Sequence, residues 1–175
     1  AKVGQGTITP DVSTYLDVET QAITASAADN WHFVNWTATG GAVVDDPSAE
    51  NTSVTMTGDG TVTANFEIDT HEVTFDLDGK GTRTGGGELV QTIEHGSGAT
   101  VPTVQENTGW IFTGWDSAFD NVTTDLTVTA QYTPVTYTLT YASGANGSLT
   151  GDTDQTVNHG ANGTAVTAVP AAGYY

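Results

Sequence analysis

The sequence predicts an all-β, or mainly β, protein built from tandem small modules. Three observations predict this class: threonine, valine and glycine dominate the 175 residues, helical periodicity is hard to find, and one set of motifs recurs along the chain. β-Branched residues stiffen extended backbone and pack well on a pleated sheet, and glycine supplies the turns. The nearest helix candidate, residues 21–30, alternates Ile23 and Ala25 with polar neighbours, which is typical of a strand.

The composition excludes several function classes. Twenty-one acidic residues against three basic ones give a formal net charge of −18. Nucleic-acid binding requires clustered lysine and arginine to displace counterions, and this charge also opposes binding to anionic lipid. No apolar run approaches the roughly 18 residues of a membrane-spanning helix. The absence of cysteine excludes disulfides, thiolate metal sites and cysteine nucleophiles.

Four pairs of motifs recur along the chain, three of them at nearly one period. Asn30–Trp36 matches Gly109–Trp115, Gly60–Phe66 matches Leu126–Tyr132, Glu72–Phe75 matches Thr138–Tyr141, and Gln91–Gly96 matches Gln155–Gly160. The last three pairs lie 64 to 66 residues apart. This period predicts three modules, at residues 1–69, 70–134 and 135–175, and Pro134 stiffens the second seam.

In the second module, the sequence predicts five extended segments separated by glycine-rich turns. They lie at Val73–Phe75, Leu89–Ile93, Thr100–Val104, Trp110–Trp115 and Leu126–Tyr132. The first module has a longer connection between its aromatic and closing strands. Residues 40–52 account for most of the excess, and their composition predicts a surface loop or an extra hairpin.

These motifs resemble the Listeria–Bacteroides repeat family, the InlB B-type repeats. The resemblance rests on Gly109–Trp115 with Thr127–Tyr132 in the second module, and on Asn30–Trp36 with Thr61–Phe66 in the first, which looks like the divergent subtype. It implies a β-grasp-like or small β-sandwich-like module used in tandem on bacterial or archaeal surface proteins. The first module lacks an opening strand and the third stops before its tryptophan, so we expect a window on a longer array.

The aromatic residues have two interpretations, and we expect the first, a structural core. The core candidates are Trp31, Phe33, Trp36, Phe66, Trp110, Phe112, Trp115 and Tyr132. Strand parity would send Trp115 to the face opposite Phe112. Gly114 precedes Trp115 as Asn35 precedes Trp36, and because Gly and Asn tolerate positive φ, both copies permit a bulge that turns the indole inward. The second interpretation is a stacking platform for sugars.

The acidic loops raise the question of calcium. Asp76, Asp78 and Gly81 match three positions of an EF-hand-like pattern, but Lys80 interrupts it and Glu88 comes one residue late. A solvated Asx-type turn is therefore the favoured interpretation. Asp76, Asp78 and Glu88 remain weak Ca²⁺ candidates, and we otherwise expect no cofactor.

The sequence offers no catalytic constellation, and we expect that the protein is not an enzyme. His95 and His159 occupy equivalent repeat positions, each in a His-Gly turn. We therefore expect them to mark the geometry of the turn and not to belong to a catalytic triad. No nucleophile elbow and no His-x-x-x-His pair occurs.

Five asparagines stand in glycosylation sequons. Asn35 is expected in the aromatic core strand, whereas Asn51 and Asn121 are expected in loops, where they are the candidates for glycan attachment. Unmodified asparagine is the favoured interpretation, because threonine is so common here that such sequons arise by chance.

Three function classes remain. The first is a non-catalytic spacer or stalk in an adhesin that is secreted or lies on the cell surface. The alternative is a subunit of an extracellular filament or lattice, assembled head-to-tail by strand addition. The second alternative is a carbohydrate-binding module. The expected partners are neighbouring repeats or copies of the chain, with a host or surface glycan or protein as a further candidate; nucleic acid is not expected.

Overall fold

A computed structural model of the chain describes residues 1–10 and 20–175. These residues form strands, turns and irregular segments and contain no helix, which confirms the predicted all-β class. The β-grasp-like arrangement and the tandem order of modules stay predictions.

The first five strands form one sheet around the longest of them. The strands are β1 (Lys2–Val3), β2 (Gly6–Thr9), β3 (Gln21–Ala27), β4 (Trp31–Val44) and β5 (Asn51–Ile68). The sheet order is β1-β5-β3-β2, and β4 also pairs with β5. The β1 strand runs parallel to β5, whereas β3 and β4 run antiparallel to it.

The long connection predicted at residues 40–52 is an extension of the β4–β5 hairpin. The pairing continues past a register shift between Gly40 and Ala42 and reaches Val44 opposite Val54. Of the two predicted forms, loop or hairpin, the structure shows the hairpin.

The core of this first sheet follows the period of two that its strands predict. Ile23 and Ala25 alternate on β3, and Ala64 and Phe66 alternate on β5. Among the described residues, the buried cluster comprises Ile23, Ala25, Trp36, Ala42, Val54, Ala64 and Phe66.

The middle of the chain forms two further sheets. Its strands are β6 (Thr70–Asp76), β7 (Gly81–Gly86), β8 (Val90–Glu94), β9 (Pro102–Glu106), β10 (Trp110–Trp115) and β11 (Leu126–Pro134). Four of them form a sheet in the order β10-β11-β6-β8, while β7 pairs with β9. Five of these six strands lie where the sequence predicts extended segments, and β7 was missed because its glycines indicate a turn.

The last part of the chain forms two small sheets of two strands each. Here β12 (Thr136–Thr140) pairs with β14 (Asp154–Asn158), and β13 (Gly147–Thr150) pairs with β15 (Thr167–Pro170). Both pairs are antiparallel.

The chain divides into two compact units. The first comprises Ala1–Glu72, Thr92–Gly98 and Asp120–Leu126. The second comprises Val73–Gln91, Ala99–Phe119 and Thr127–Tyr175. The predicted middle module, residues 70–134, contributes to both units, and its boundaries stay a prediction.

Candidate functional site

Among the described residues, three antiparallel strand pairs, β2–β3, β7–β9 and β13–β15, share one register and one closing hydrogen bond. The paired residues that correspond are Gly6 with Ala27, Gly81 with Glu106, and Gly147 with Pro170. The residue after the second strand of each pair donates its N–H to the carbonyl of the residue before the first strand: Ala28 to Gln5 at 3.2 Å, Asn107 to Lys80 at 2.8 Å, and Ala171 to Asn146 at 2.9 Å.

The same turn follows each of these strand pairs and leads into an aromatic residue. The turn residues have positive φ: Asn30 at 63°, Gly109 at 89° and Gly173 at 89°. The next residue donates its N–H to the carbonyl three positions back: Trp31 to Ala28, Trp110 to Asn107 and Tyr174 to Ala171. A left-handed backbone favours glycine or asparagine, so the backbone explains which residues occupy these positions.

The expected bulge is present in both aromatic strands. The register shifts between Phe33 and Asn35 in the β4–β5 pair, and between Phe112 and Gly114 in the β10–β11 pair. Gly114 has φ of 137°. The positive-φ explanation is wrong for Asn35, which lies outside the left-handed region. Its side-chain oxygen accepts a hydrogen bond from Asn65 Nδ2 at 2.6 Å.

The eight predicted core aromatics differ in how deeply they are buried. Trp36 and Phe66 are each 3% exposed. The Trp36 indole N–H donates to the carbonyl of Ala49 at 2.9 Å, so its polar atom is satisfied inside the first sheet. The other six are only half-buried: Trp31, Phe33, Trp110, Phe112, Trp115 and Tyr132. Trp115 therefore matches Trp36 in strand position but not in burial.

Two phenylalanines outside the predicted core set extend the aromatic cluster at Trp115: Phe75 packs against Trp115, and Phe119 packs against Phe75. The buried ring of Phe75 lies 4.9 Å from Trp115 and 5.1 Å from Phe119, centroid to centroid, with edge-to-face geometry in both pairs. Phe75 belongs to a recurring strand motif, and that motif was the signal that could have identified it. The sequence offered no such signal for Phe119.

Trp110 carries a cation on its ring. Lys80 Nζ lies 4.5 Å from the ring centroid and donates to Asp78 Oδ2 at 2.6 Å. An aromatic face that already holds an ammonium group offers less surface to a stacked sugar.

The three weak calcium candidates do not converge. Asp78 N–H donates to Asp76 Oδ1 at 2.9 Å, which forms the expected Asx turn. Asp78 pairs with Lys80, and Glu88 pairs with Arg83 at 2.7 Å. In residues 1–10 and 20–175, no group of three or more His, Asp or Glu side chains could hold a metal ion.

Among residues 1–10 and 20–175, three ionisable groups are shifted by their surroundings. Hydrogen bonds from the Ser48 hydroxyl and N–H lower the pKa of Asp46, and the N–H of Thr129 lowers that of Asp116. Burial raises the pKa of Tyr132, and the charges of Asp78, Glu106 and Asp76 raise it further. The Tyr132 hydroxyl is shielded from solvent, and no residue in the described part of the chain hydrogen-bonds to it.

Two glutamines at equivalent repeat positions form the same hydrogen-bond network. Gln155 Nε2 donates to the carbonyls of Asp152 and Thr164 at 2.7 and 3.0 Å, and its Oε1 accepts from Thr164 N–H at 2.6 Å. Gln91 bonds in the same way to Glu88 and Thr100, at 2.7 to 2.8 Å. Each side chain holds a loop segment against its own strand.

Asp69 connects β5 to β6, and Val135 connects β11 to β12. Each of these two residues is held by the same pair of backbone hydrogen bonds, one residue in each compact unit. Asp69 N–H donates to Asn30 at 2.9 Å, and its carbonyl accepts from His95 N–H at 2.8 Å. Val135 N–H donates to Gly109 at 2.9 Å, and its carbonyl accepts from His159 N–H at 2.7 Å. We call these two arrangements the first and second junction.

The His-Gly turns that close the junctions also share side-chain geometry. Gly96 and Gly160 have φ of 79° and 74°. At the first junction His95 faces His71, with ring centroids 5.3 Å apart; at the second, His159 faces Tyr137, at 5.9 Å. The histidines therefore have the geometric role predicted for them.

The two glycosylation candidates are both exposed, but they lie in different structures. Asn121 lies outside the strands, as expected. The loop location predicted for Asn51 is wrong, because Asn51 begins β5, pairs with Thr24 and accepts a hydrogen bond from the Thr24 hydroxyl at 2.8 Å.

These features define an all-β protein in which one pattern of antiparallel strand pairs, aromatic turns and junctions recurs. The chain belongs to the family of divergent InlB B-repeat domains, whose sequence profile matches residues 1–70 and 137–175. The match confirms the resemblance found in the motifs and makes the chain a member of a repeat-domain family of bacterial surface proteins. No curated protein and no solved structure matches the chain. No helix suited to crossing a membrane is found in the part that the structure describes.

Proposed function

We propose that this chain is a non-catalytic structural spacer in an adhesin-type protein that acts outside the cell. The observation that carries the proposal is the pair of junctions. Asp69 and Val135 each use both backbone hydrogen-bonding groups, one toward the preceding aromatic turn and one toward the following His-Gly turn. A connector held from both sides is what a spacer requires.

The energetics of the junctions support this role. Each backbone hydrogen bond contributes roughly 0.5–1.5 kcal/mol net, and each junction has two of them. A ring pair stands beside these bonds at both places. A free connector of glycine or serine would sample many backbone conformations, whereas a connector held in this way keeps one conformation.

The aromatic residues support a spacer more than a sugar-binding module. Trp36 is buried with its N–H satisfied, and the ring of Trp110 carries Lys80. The net charge of −18 favours a hydrated surface that repels like-charged copies at low salt.

Hydrogen exchange of individual amides tests the proposal. We expect the amides of Asp69, Val135, His95 and His159 to exchange as slowly as strand amides. Exchange at unfolded-chain rates at either junction would overturn the spacer proposal. Asp69→Ala is the matched control: it removes the side-chain bond from Asp69 to His32 but keeps the backbone donor, so protection should persist.

Two further measurements separate the alternatives. A glycan array should show no binding that Trp110→Ala abolishes; such binding would favour the carbohydrate-binding alternative. Sedimentation should show no association with rising concentration; growth into long assemblies would favour the filament alternative.

A further inference from the structure

The chain contains two Asn-Gly dipeptides in nearly identical local sequences. Asn146 lies in the sequence Ala-Asn-Gly-Ser, and Asn162 lies in Ala-Asn-Gly-Thr. Asparagine is a chemically labile residue, and a following glycine makes it more so, because glycine has no Cβ to hinder attack by its backbone nitrogen. Since the two local sequences match, a difference in reactivity between the two asparagines must come from the folded structure.

We propose that Asn146 is a modification site, at which the folded chain converts asparagine to a mixture of aspartate and isoaspartate. The nitrogen of Gly147 attacks Asn146 Cγ, and a succinimide ring forms as the Cγ–Nδ2 bond breaks. The departing amide group takes up the proton of the Gly147 N–H and leaves as ammonia. One water molecule then opens the ring. Cleavage of the new N–Cγ bond gives aspartate, and cleavage of the original peptide C–N bond gives isoaspartate.

The pairing of β13 with β15 leaves the attacking nitrogen accessible. Just before the paired Gly147 and Pro170, the Asn146 carbonyl accepts the N–H of Ala171 at 2.9 Å. Hydrogen-bonded and non-bonded positions alternate along an antiparallel pair, so Gly147 and Pro170 occupy a non-bonded one. The Gly147 N–H therefore points away from β15, and residues 142–148 are all exposed. Water and hydroxide can reach both reacting groups.

The second Asn-Gly dipeptide lies in a packed part of the backbone. Gly163 is half-buried, and a Cβ at this residue would lie 2.6 Å from Leu139 Cδ2 and 2.7 Å from Gln155 Oε1. The next residue, Thr164, donates its N–H to Gln155 Oε1 at 2.6 Å, and its carbonyl accepts from Gln155 Nε2 at 3.0 Å. Cyclisation at Asn162 needs a local opening of these contacts before the Gly163 nitrogen can move toward the side chain. We therefore expect Asn162 to be the slower of the two.

Isoaspartate would change the backbone where β13 begins. In isoaspartate the main chain runs through Cβ and Cγ, and the original carbonyl carbon becomes a carboxylate outside the main chain. At Asn146 that carbonyl is the acceptor for the Ala171 N–H, so the bond that closes the β13–β15 pair loses its main-chain acceptor. The modification thus adds a negative charge and weakens one end of a two-stranded sheet.

The other two strand pairs hold residues at this position that do not react in the same way. Gln5 and Lys80 accept the equivalent closing bonds, and each precedes a glycine. Lysine has no side-chain carbonyl, and the longer glutamine side chain forms the larger ring more slowly. The site is therefore particular to the third of these strand pairs. The proposal concerns backbone chemistry and does not rest on the spacer role.

Peptide mapping of the full chain by mass spectrometry tests the proposal. During incubation at pH 7.5, Asn146 should convert at least fivefold faster than Asn162, with isoaspartate among the products. In concentrated guanidinium chloride the two rates should agree within twofold, because the local sequences match. Asn146→Gln, which copies the residue of the first strand pair, should show no conversion at this position over the same period.

Hydrogen exchange tests the effect on the backbone. In chains that carry isoaspartate in place of Asn146, the Ala171 amide should exchange at least threefold faster than in the unmodified chain. Asn146→Asp is the matched control, since it adds the same charge on an ordinary backbone and should leave this exchange unchanged. Equal exchange in the isoaspartate form and in this control would overturn the predicted loss of the closing bond.

Two results would overturn the assignment of Asn146 as the modification site. One is equal conversion of Asn146 and Asn162 in the folded chain, and the other is conversion of Asn146 only after denaturation. Both results come from the unmodified chain, so the test does not depend on whether a variant folds.

Discussion

The rings of Phe112 and Trp115 lie 5.4 Å apart, centroid to centroid, although the two residues are three positions apart on β10. On a regular strand an odd spacing places side chains on opposite faces. The register shift between Phe112 and Gly114 adds the residue that brings Trp115 back to Phe112. Phe33 and Trp36 repeat the relationship at 5.6 Å across the shift in β4. The bulge thus brings the two aromatic rings of each motif together, so that they pack as a pair.

Truncating the two bulge tryptophans should have unequal effects. Trp36→Ala removes a side chain that is only 3% exposed and should cost about 3–5 kcal/mol of unfolding free energy, the usual range for a buried aromatic. Trp115→Ala should cost less, because Trp115 is only half-buried. Urea titration followed by far-UV circular dichroism measures both values. A larger loss for Trp115→Ala would contradict the burial pattern.

Gly114→Ala measures the stability that is lost when a residue with a Cβ must adopt the backbone conformation of the bulge. A Cβ at Gly114 would contact nothing within 4 Å, so the expected loss of about 1–3 kcal/mol comes from its φ of 137° alone. Gly144 is the matched control, since its Cβ position is equally open and it lies outside the left-handed region. Gly144→Ala should therefore be neutral or slightly stabilising. Equal unfolding midpoints for the two variants would mean that β10 does not need this conformation.

The paired glutamines should differ in importance. Gln155→Leu leaves two carbonyls and one N–H without their partners at a buried position, which should cost about 2–4 kcal/mol locally. Gln91→Leu breaks the same three bonds, but Gln91 is half-exposed, so water replaces part of what is lost. Hydrogen exchange at Thr164 and Thr100 reports the two losses. A smaller effect at Thr164 would count against the burial argument.

Tyr132→Phe should be neutral or stabilising by up to about 1 kcal/mol, because the hydroxyl it removes is shielded and unpartnered among the described residues. The same substitution should also change how the stability of the chain depends on pH. Burial raises the pKa of Tyr132 above its ordinary value of 10.0, so folding favours the protonated phenol. The unmodified chain should therefore lose stability as the pH rises above 10, and Tyr132→Phe should lose less. Parallel thermal melts between pH 8 and 11 measure this, and identical alkaline losses would contradict it.

The sequence predicted the strands well where local pattern decides structure. Trp110–Trp115 and the strand that begins at Leu126 lie where alternation and aromatic content place them. The glycine-rich β7 was missed because its order comes from pairing with β9, where Arg83 also donates to the carbonyls of Gly86 and Gly87. Local composition does not contain that information.

The residues of the candidate site also divide into those that local sequence predicts and those that depend on contacts between distant segments. Repeat comparison identified His95 and His159 as equivalent turn residues, but it gave no indication of His71, whose place opposite His95 is set by contacts between distant segments. Likewise, the packing of the buried Phe75 ring includes Phe119, which lies in an irregular segment outside every recurring motif.

Both connecting residues should be rigidly held, and ¹⁵N relaxation of the full chain tests this rigidity most directly. The N–H groups of Asp69 and Val135 donate to Asn30 and Gly109, so their order parameters should equal those of the neighbouring strands, at about 0.85. Values below about 0.6 at either residue would identify a flexible linker and contradict a rigid connection.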